Sequence, residues 1–158
     1  MLNTVAYGAP SAQPPLLIVH GLFGSARNWG VIARRLSDTR QVIAVDMRNH
    51  ADSMWTESHG YDDLAADLAK VIATYGPPFD VLGHSMGGKA AMMLALLHPE
   101  LVRRLIVADI APVAYAHSQS HLIHAMRDLD LTDLHARSEA DRRLAATVTD
   151  AGTRAFLL

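Results

Sequence analysis

Ser85 stands in Gly83-His84-Ser85-Met86-Gly87, a spacing that suits an exposed serine nucleophile on a sharp turn. Such a turn needs a short apolar strand before the serine and a helix after it. Phe79 to Leu82 and Met86 to His98 supply those two patterns. Strained backbone then lifts the hydroxyl above the sheet edge. Gly83 and Gly87 leave space where side chains would collide with the turn, and Gly88, Ala90 and Ala91 let the helix approach the strands. The helix start aims unpaired N–H groups and the positive end of its dipole at the site. The Met86 N–H is therefore a candidate oxyanion donor. A serine nucleophile implies acyl transfer, because carboxylate nucleophiles serve reactions that pass through alkyl esters. The plainer alternative is a serine that only caps a helix.

Two further segments could complete this chemistry. His20-Gly21-Leu22-Phe23-Gly24 follows an apolar run, where a second oxyanion N–H is expected. Leu22 is the first candidate and Phe23 the second, while His20 reads as a scaffold residue. Asp109 ends another strand run and could orient a histidine and stabilise its imidazolium. Asp46, at the end of a further strand, competes for that role, although pairing with Arg48 would explain it equally well.

Positioning these residues requires strands that end at one sheet edge. Leu16 to Val19, Gln41 to Val45, Phe79 to Leu82 and Leu105 to Ala108 are apolar runs of the kind buried on both faces of a parallel sheet. Between them lie helical patterns. Ser25 precedes the stripe Trp29, Ile32, Ala33 and Leu36, and Tyr61, Leu64, Ala65, Leu68, Ile72 and Tyr75 form a second stripe. Strands alternating with helices predict an α/β fold, with a mostly parallel sheet and helices on both faces. From His117 onward the strand-like runs stop. Leu122, Met126 and Leu129 suggest one helix, and Ala140 to Leu158 one or two more, broken near Gly152. Residues 1–116 are thus expected to form a core and residues 117–158 a helical excursion.

Composition narrows the function classes. The chain has 158 residues, of which 50% are hydrophobic and 19% charged, with a formal net charge of −2. That balance gives no reason to expect nucleic acid or an anionic membrane as partner. There is no cysteine, which excludes disulfides, thiolate catalysis and Cys-based zinc sites. The first 15 residues do not read as a signal peptide, and no run of roughly 20 apolar residues suggests a membrane span. A soluble, cytoplasmic protein is expected.

At His20-Gly21-Leu22-Phe23-Gly24-Ser25, Asp46-Met47-Arg48-Asn49-His50, Gly83-His84-Ser85-Met86-Gly87-Gly88-Lys89-Ala90 and Asp109-Ile110-Ala111-Pro112-Val113 the chain resembles the α/β-hydrolase superfamily. Within it, these segments are similar to the small esterase group of YbfF and the ABHD11-like hydrolases. The resemblance implies an esterase or thioesterase acting on small-molecule acyl esters or thioesters, without metal or cofactor. It implies Ser85 as nucleophile and Asp109 as acid, on the strand following the nucleophile's. Ala51 stands where the group often has glycine, although alanine resists positive φ. Lactonase, acyltransferase and cofactor-free peroxidase chemistry share the serine and stay open.

Hydrolases of this group run to roughly 250 residues, so the resemblance implies that the last strands and the catalytic histidine are missing and that the helical cap is only begun. Chain order leaves His117, His121, His124 and His135 eligible as the base, and His117, His121 and His124 could share one helix face as a metal site. A competing expectation is a non-catalytic fragment, or a subunit completed by a partner chain. Homo-oligomerisation is open under either reading.

Overall fold

A computed structural model describes residues 1–116 and 118–158, and His117 lies outside the described residues. Two compact units are present, Met1–Val113 and Ala114–Leu158. The first unit holds a five-stranded sheet of β1 (Thr4–Tyr7), β2 (Leu16–Val19), β3 (Val42–Val45), β4 (Phe79–His84) and β5 (Val102–Ala108), in spatial order β1-β3-β2-β4-β5. β1 pairs antiparallel with β3, and the other pairings are parallel.

The central strands are apolar because both faces are covered. Leu17, Val19, Ile43, Val45 and Val81 point into one core layer with α2 (Tyr61–Tyr75) and α3 (Met86–Leu97). Leu64, Leu68 and Ile72 of α2 and Ala90, Ala91 and Leu94 of α3 fill that layer. The alternate residues Leu16, Ile18, Val42 and Ala44 face the opposite way, against Ala26 and Ala33. Gly76, with φ 91, ends α2.

Three elements depart from the pattern expected of them. The chain after Ser25 first forms a 3-10 turn (Ala26–Trp29), and only then the α-helix α1 (Gly30–Leu36). Ala26, Trp29 and Ala33 pack on one core layer across that junction. Ala33 is buried, whereas Ile32 and Leu36 are 45% and 40% exposed. At the start of the 3-10 turn the Asn28 side chain accepts from the Ser25 N–H at 2.7 Å and the Asp46 carboxylate accepts from the Ala26 N–H at 2.7 Å. β5 begins at Val102, earlier than its apolar run, because Arg103 is held beside β4 by Asp80.

The second unit contains α4 (Ser120–Arg127), α5 (Arg137–Leu144) and α6 (Ala151–Leu157). Leu122, Ala140, Leu144 and Val148 are its buried apolar residues. Gly152 lies inside α6 and does not break it. The interruption precedes Asp150, whose carboxylate accepts the Thr153 N–H at 2.6 Å and caps the helix. No described helix is long and apolar enough to cross a membrane.

Candidate active site

Parallel register decides where the chemistry collects. Val19 is level with Val45 and Gly83, and His84 is level with Ala108. The residues that follow these strands, His20, Asp46, Ser85 and Asp109, therefore emerge at the same sheet edge. Carboxyl ends of parallel strands are where open α/β sheets build sites.

Ser85 links β4 to α3 with φ 52 and ψ −118, left-handed backbone that a non-glycine residue adopts at a cost of about 1–3 kcal/mol. Its surroundings enforce that conformation. The Ser85 N–H donates to the Ala108 carbonyl at 3.0 Å, and the Ser85 carbonyl accepts from the N–H groups of Gly88 and Lys89 at 2.9 and 3.1 Å. A Cβ on Gly83 would strike the Gly87 carbonyl, and one on Gly87 would strike the carbonyls of Val19 and His20. The turn is thus closed by direct backbone contact. Met86 opens α3, so its N–H has no partner within the helix.

The segment after β2 reaches this elbow at Gly21. A Cβ there would lie 2.9 Å from His84 Nδ1 and 3.1 Å from Ser85 Cβ. Gly21 to Gly24 form a β-turn closed by the Gly24 N–H donating to the Gly21 carbonyl at 3.0 Å, with Phe23 at φ 62. The two loop N–H groups considered as oxyanion donors differ. That of Phe23 donates to His50 Nε2 at 3.2 Å. That of Leu22 makes no hydrogen bond among the described residues.

Asp109 follows β5 with φ 57, and its side chain is 87% exposed. Its Oδ2 lies 3.7 Å from Nε2 of His84, whose ring is also 6.0 Å from that of Trp29. Asp46 is engaged elsewhere. It caps the 3-10 turn through Oδ1 and accepts from Asn3 Nδ2 through Oδ2 at 2.7 Å. Arg48 is not its partner, because that guanidinium donates to Asp67 at 2.7 Å and to Ser58 Oγ at 2.9 Å.

His20 is buried and neutral. The Met47 N–H donates to its Nε2 at 2.9 Å, which puts the ring proton on Nδ1, and that nitrogen donates to the Gly21 carbonyl at 2.7 Å. Burial is the main reason its pKa is lowered to about 4. Among the described residues no histidine hydrogen-bonds Ser85. His121, His124 and His135 belong to the second unit, where His121 and His124 line an open cavity of about 650 Å³ with Asp128, Asp130 and Arg143. No group of three potential metal ligands is close enough to hold an ion among the described residues, and His117 of the considered trio lies outside them.

In the sequence His50 has no individual role, although it closes Asp46-Met47-Arg48-Asn49-His50, one of the segments that carry the family resemblance. A bond spanning 27 residues joins it to Phe23, and no local spacing announces such a contact.

The strained serine elbow, the parallel sheet and the adjoining glycine loop define an α/β-hydrolase core, and the chain belongs to the alpha/beta hydrolase fold family, which it matches over residues 14–150. It is 39% identical over 155 residues to the mouse sn-1-specific diacylglycerol lipase ABHD11, with 92% of this chain and 50% of that protein covered. To the Escherichia coli esterase YbfF it is 37% identical over 147 residues, covering 91% of this chain and 58% of that protein. Among solved structures, a marine microorganism esterase superposes with a TM-score of 0.90 at 36% identity, covering 99% of this chain and 62% of that one. The chain spans about half the length of the curated relatives it matches.

Proposed function

We propose that this chain carries the nucleophile and oxyanion hole of a serine esterase or thioesterase. The observation that carries the reading is Ser85 held at φ 52 at the start of α3, beside the Gly21 to Gly24 turn. Ser85 Oγ attacks the ester or thioester carbonyl carbon and its proton passes to a general base. The carbonyl oxygen becomes an oxyanion facing the N–H groups of Leu22 and Met86. Collapse expels the alcohol or thiol, which takes up that proton and leaves acyl-Ser85. Water then releases the carboxylic acid and restores the serine. Asp109 serves as the acid that orients the base imidazole. The names of the esterase and lipase relatives support the class of reaction.

A fluorophosphonate probe tests the assignment. Ser85 should be labelled in the wild-type protein and labelling should vanish in Ser85→Ala. Labelling that persists in the variant would sink it. A second reading, a subunit completed by a partner strand, is favoured by one observation: β5 is an edge strand with Leu105 and Ile106 exposed at 37% and 49%. Sedimentation discriminates, since a monomer that reacts through Ser85 argues against a required partner.

A further inference from the structure

The acyl-transfer reading leaves Arg48-Asn49-His50 without a task. Its geometry meets the loop that carries the Leu22 N–H. The Gly21–Leu22 peptide is planar and trans, so its carbonyl and its N–H point in opposite directions. That carbonyl accepts from His20 Nδ1 at 2.7 Å and from the Gly24 N–H at 3.0 Å. Holding the carbonyl therefore aims the Leu22 N–H. The next peptide, Leu22–Phe23, is held from its other side, by the Phe23 N–H donating to His50 Nε2 at 3.2 Å.

An amide N–H can only donate, so His50 Nε2 carries a lone pair and Nδ1 carries the proton. Nδ1 donates to the Arg48 carbonyl at 2.9 Å, which fixes the ring and its tautomer. Arg48 is anchored in turn by Asp67 of α2 and by Ser58. The His50 ring is buried and packs edge-on to His20, with centroids 5.1 Å apart. Three non-glycine residues at the two ends of this contact, Phe23, Asn49 and Ala51, have φ values of 62, 61 and 43. Backbone of this kind persists only where its surroundings over-determine it, and it gathers at functional sites.

We propose that His50 is a positioning residue of the oxyanion hole. With His20 it clamps the two peptides that flank Leu22, so the Leu22 N–H stays aimed where the oxyanion forms. The inference rests on the assignment of Ser85 as nucleophile. Without the His50 acceptor, the Leu22–Phe23 peptide is free to rotate and Phe23 to leave its left-handed conformation, and the loop loses its aim while the elbow stays intact.

His50→Phe and His50→Gln test it. Phenylalanine fills the space without a lone pair, whereas the glutamine carbonyl can still accept the Phe23 N–H. In the wild-type protein, NMR should show a nitrogen–nitrogen coupling across the Phe23–His50 hydrogen bond. In His50→Phe, Phe23 amide exchange should accelerate while the Met47 amide, held by His20, keeps its protection. Fluorophosphonate inactivation should slow by about 10–100-fold in the rate at saturation, with half-saturation moving less than about twofold, as expected for a weakened oxyanion donor. His50→Gln should recover most of both. Absence of the coupling in wild type overturns the proposal. So does a wild-type inactivation rate in His50→Phe, or a His50→Gln variant as impaired as His50→Phe. Labelling that survives Ser85→Ala would instead strike the nucleophile assignment, and the Phe23 coupling and exchange would still report on the clamp by itself.

Discussion

One methyl group added at Gly21 should slow acylation of Ser85 roughly tenfold while lowering stability by about 1–2 kcal/mol. The added Cβ would sit 2.9 Å from His84 Nδ1 and 3.1 Å from Ser85 Cβ. Carbon contacts settle at about 3.5–4.0 Å, so something must give by roughly half an ångström. The elbow resists, because Ser85 is tied to Ala108 through its N–H and to Gly88 and Lys89 through its carbonyl. Displacement therefore falls on the loop that carries Leu22. A misplacement of about 1 Å costs about a hundredfold in rate, and half of that shift gives about tenfold. Fluorophosphonate inactivation rates for wild type and Gly21→Ala, measured beside urea unfolding followed by circular dichroism, read the two effects separately. A Gly21→Ala protein that is folded and reacts at the wild-type rate would show that the loop can move without consequence for the oxyanion.

Two other substitutions probe the scaffold. Buried Asp80 accepts from Arg103 at 2.8 and 2.6 Å and from Arg40 at 2.7 Å, and the bonds from Arg103 are the first reason its carboxyl is held below the usual carboxylate range. Asp80→Asn should cost about 2–3 kcal/mol at neutral pH, under the range for breaking a fully buried pair because Arg103 is 34% exposed. A depressed folded-state pKa means that the unfolded chain binds the proton more readily. The stabilisation is therefore complete above the unfolded value of 3.8 and fades as pH falls through the lower folded value. The gap between wild-type and variant urea midpoints should close on acidification, and a gap that persists contradicts the ion-pair account. Ala51→Gly should leave stability unchanged or raise it by up to about 1.5 kcal/mol, as about 1–2 kcal/mol of left-handed strain is relieved against about 0.5–1 kcal/mol of added chain entropy. A clear loss in urea midpoint would show that the Ala51 methyl makes contacts worth more than the strain at its φ of 43.

The strand ends were legible because buried parallel strands read as unbroken apolar runs, and Val19, Val45 and Ala108 mark those ends in sequence. The elbow was legible because steric exclusion at Gly83 and Gly87 leaves a compositional trace. What escaped depends on distant partners. The start of β5 looks polar until Asp80 on the neighbouring strand is seen to bond Arg103. Asp46 looks like a loop carboxylate until the Ala26 N–H and Asn3 arrive from elsewhere in the chain. α1 buries Ala33 but leaves Ile32 and Leu36 45% and 40% exposed, a difference that their apolar type does not disclose. His50 carried a recognisable motif, but its task lies in one bond to Phe23.

The bond from the Ser85 N–H to the Ala108 carbonyl has a consequence for how such a site can diversify. The serine and the aspartate proposed to serve it leave adjacent, hydrogen-bonded strands, which lie about 4.8 Å apart in any sheet. Their separation is set by ladder geometry, and no loop length enters it. An insertion after Asp109 leaves that separation unchanged, because it adds nothing between the two strands. The chain that follows can therefore vary over evolutionary time without rebuilding the spacing of these two residues.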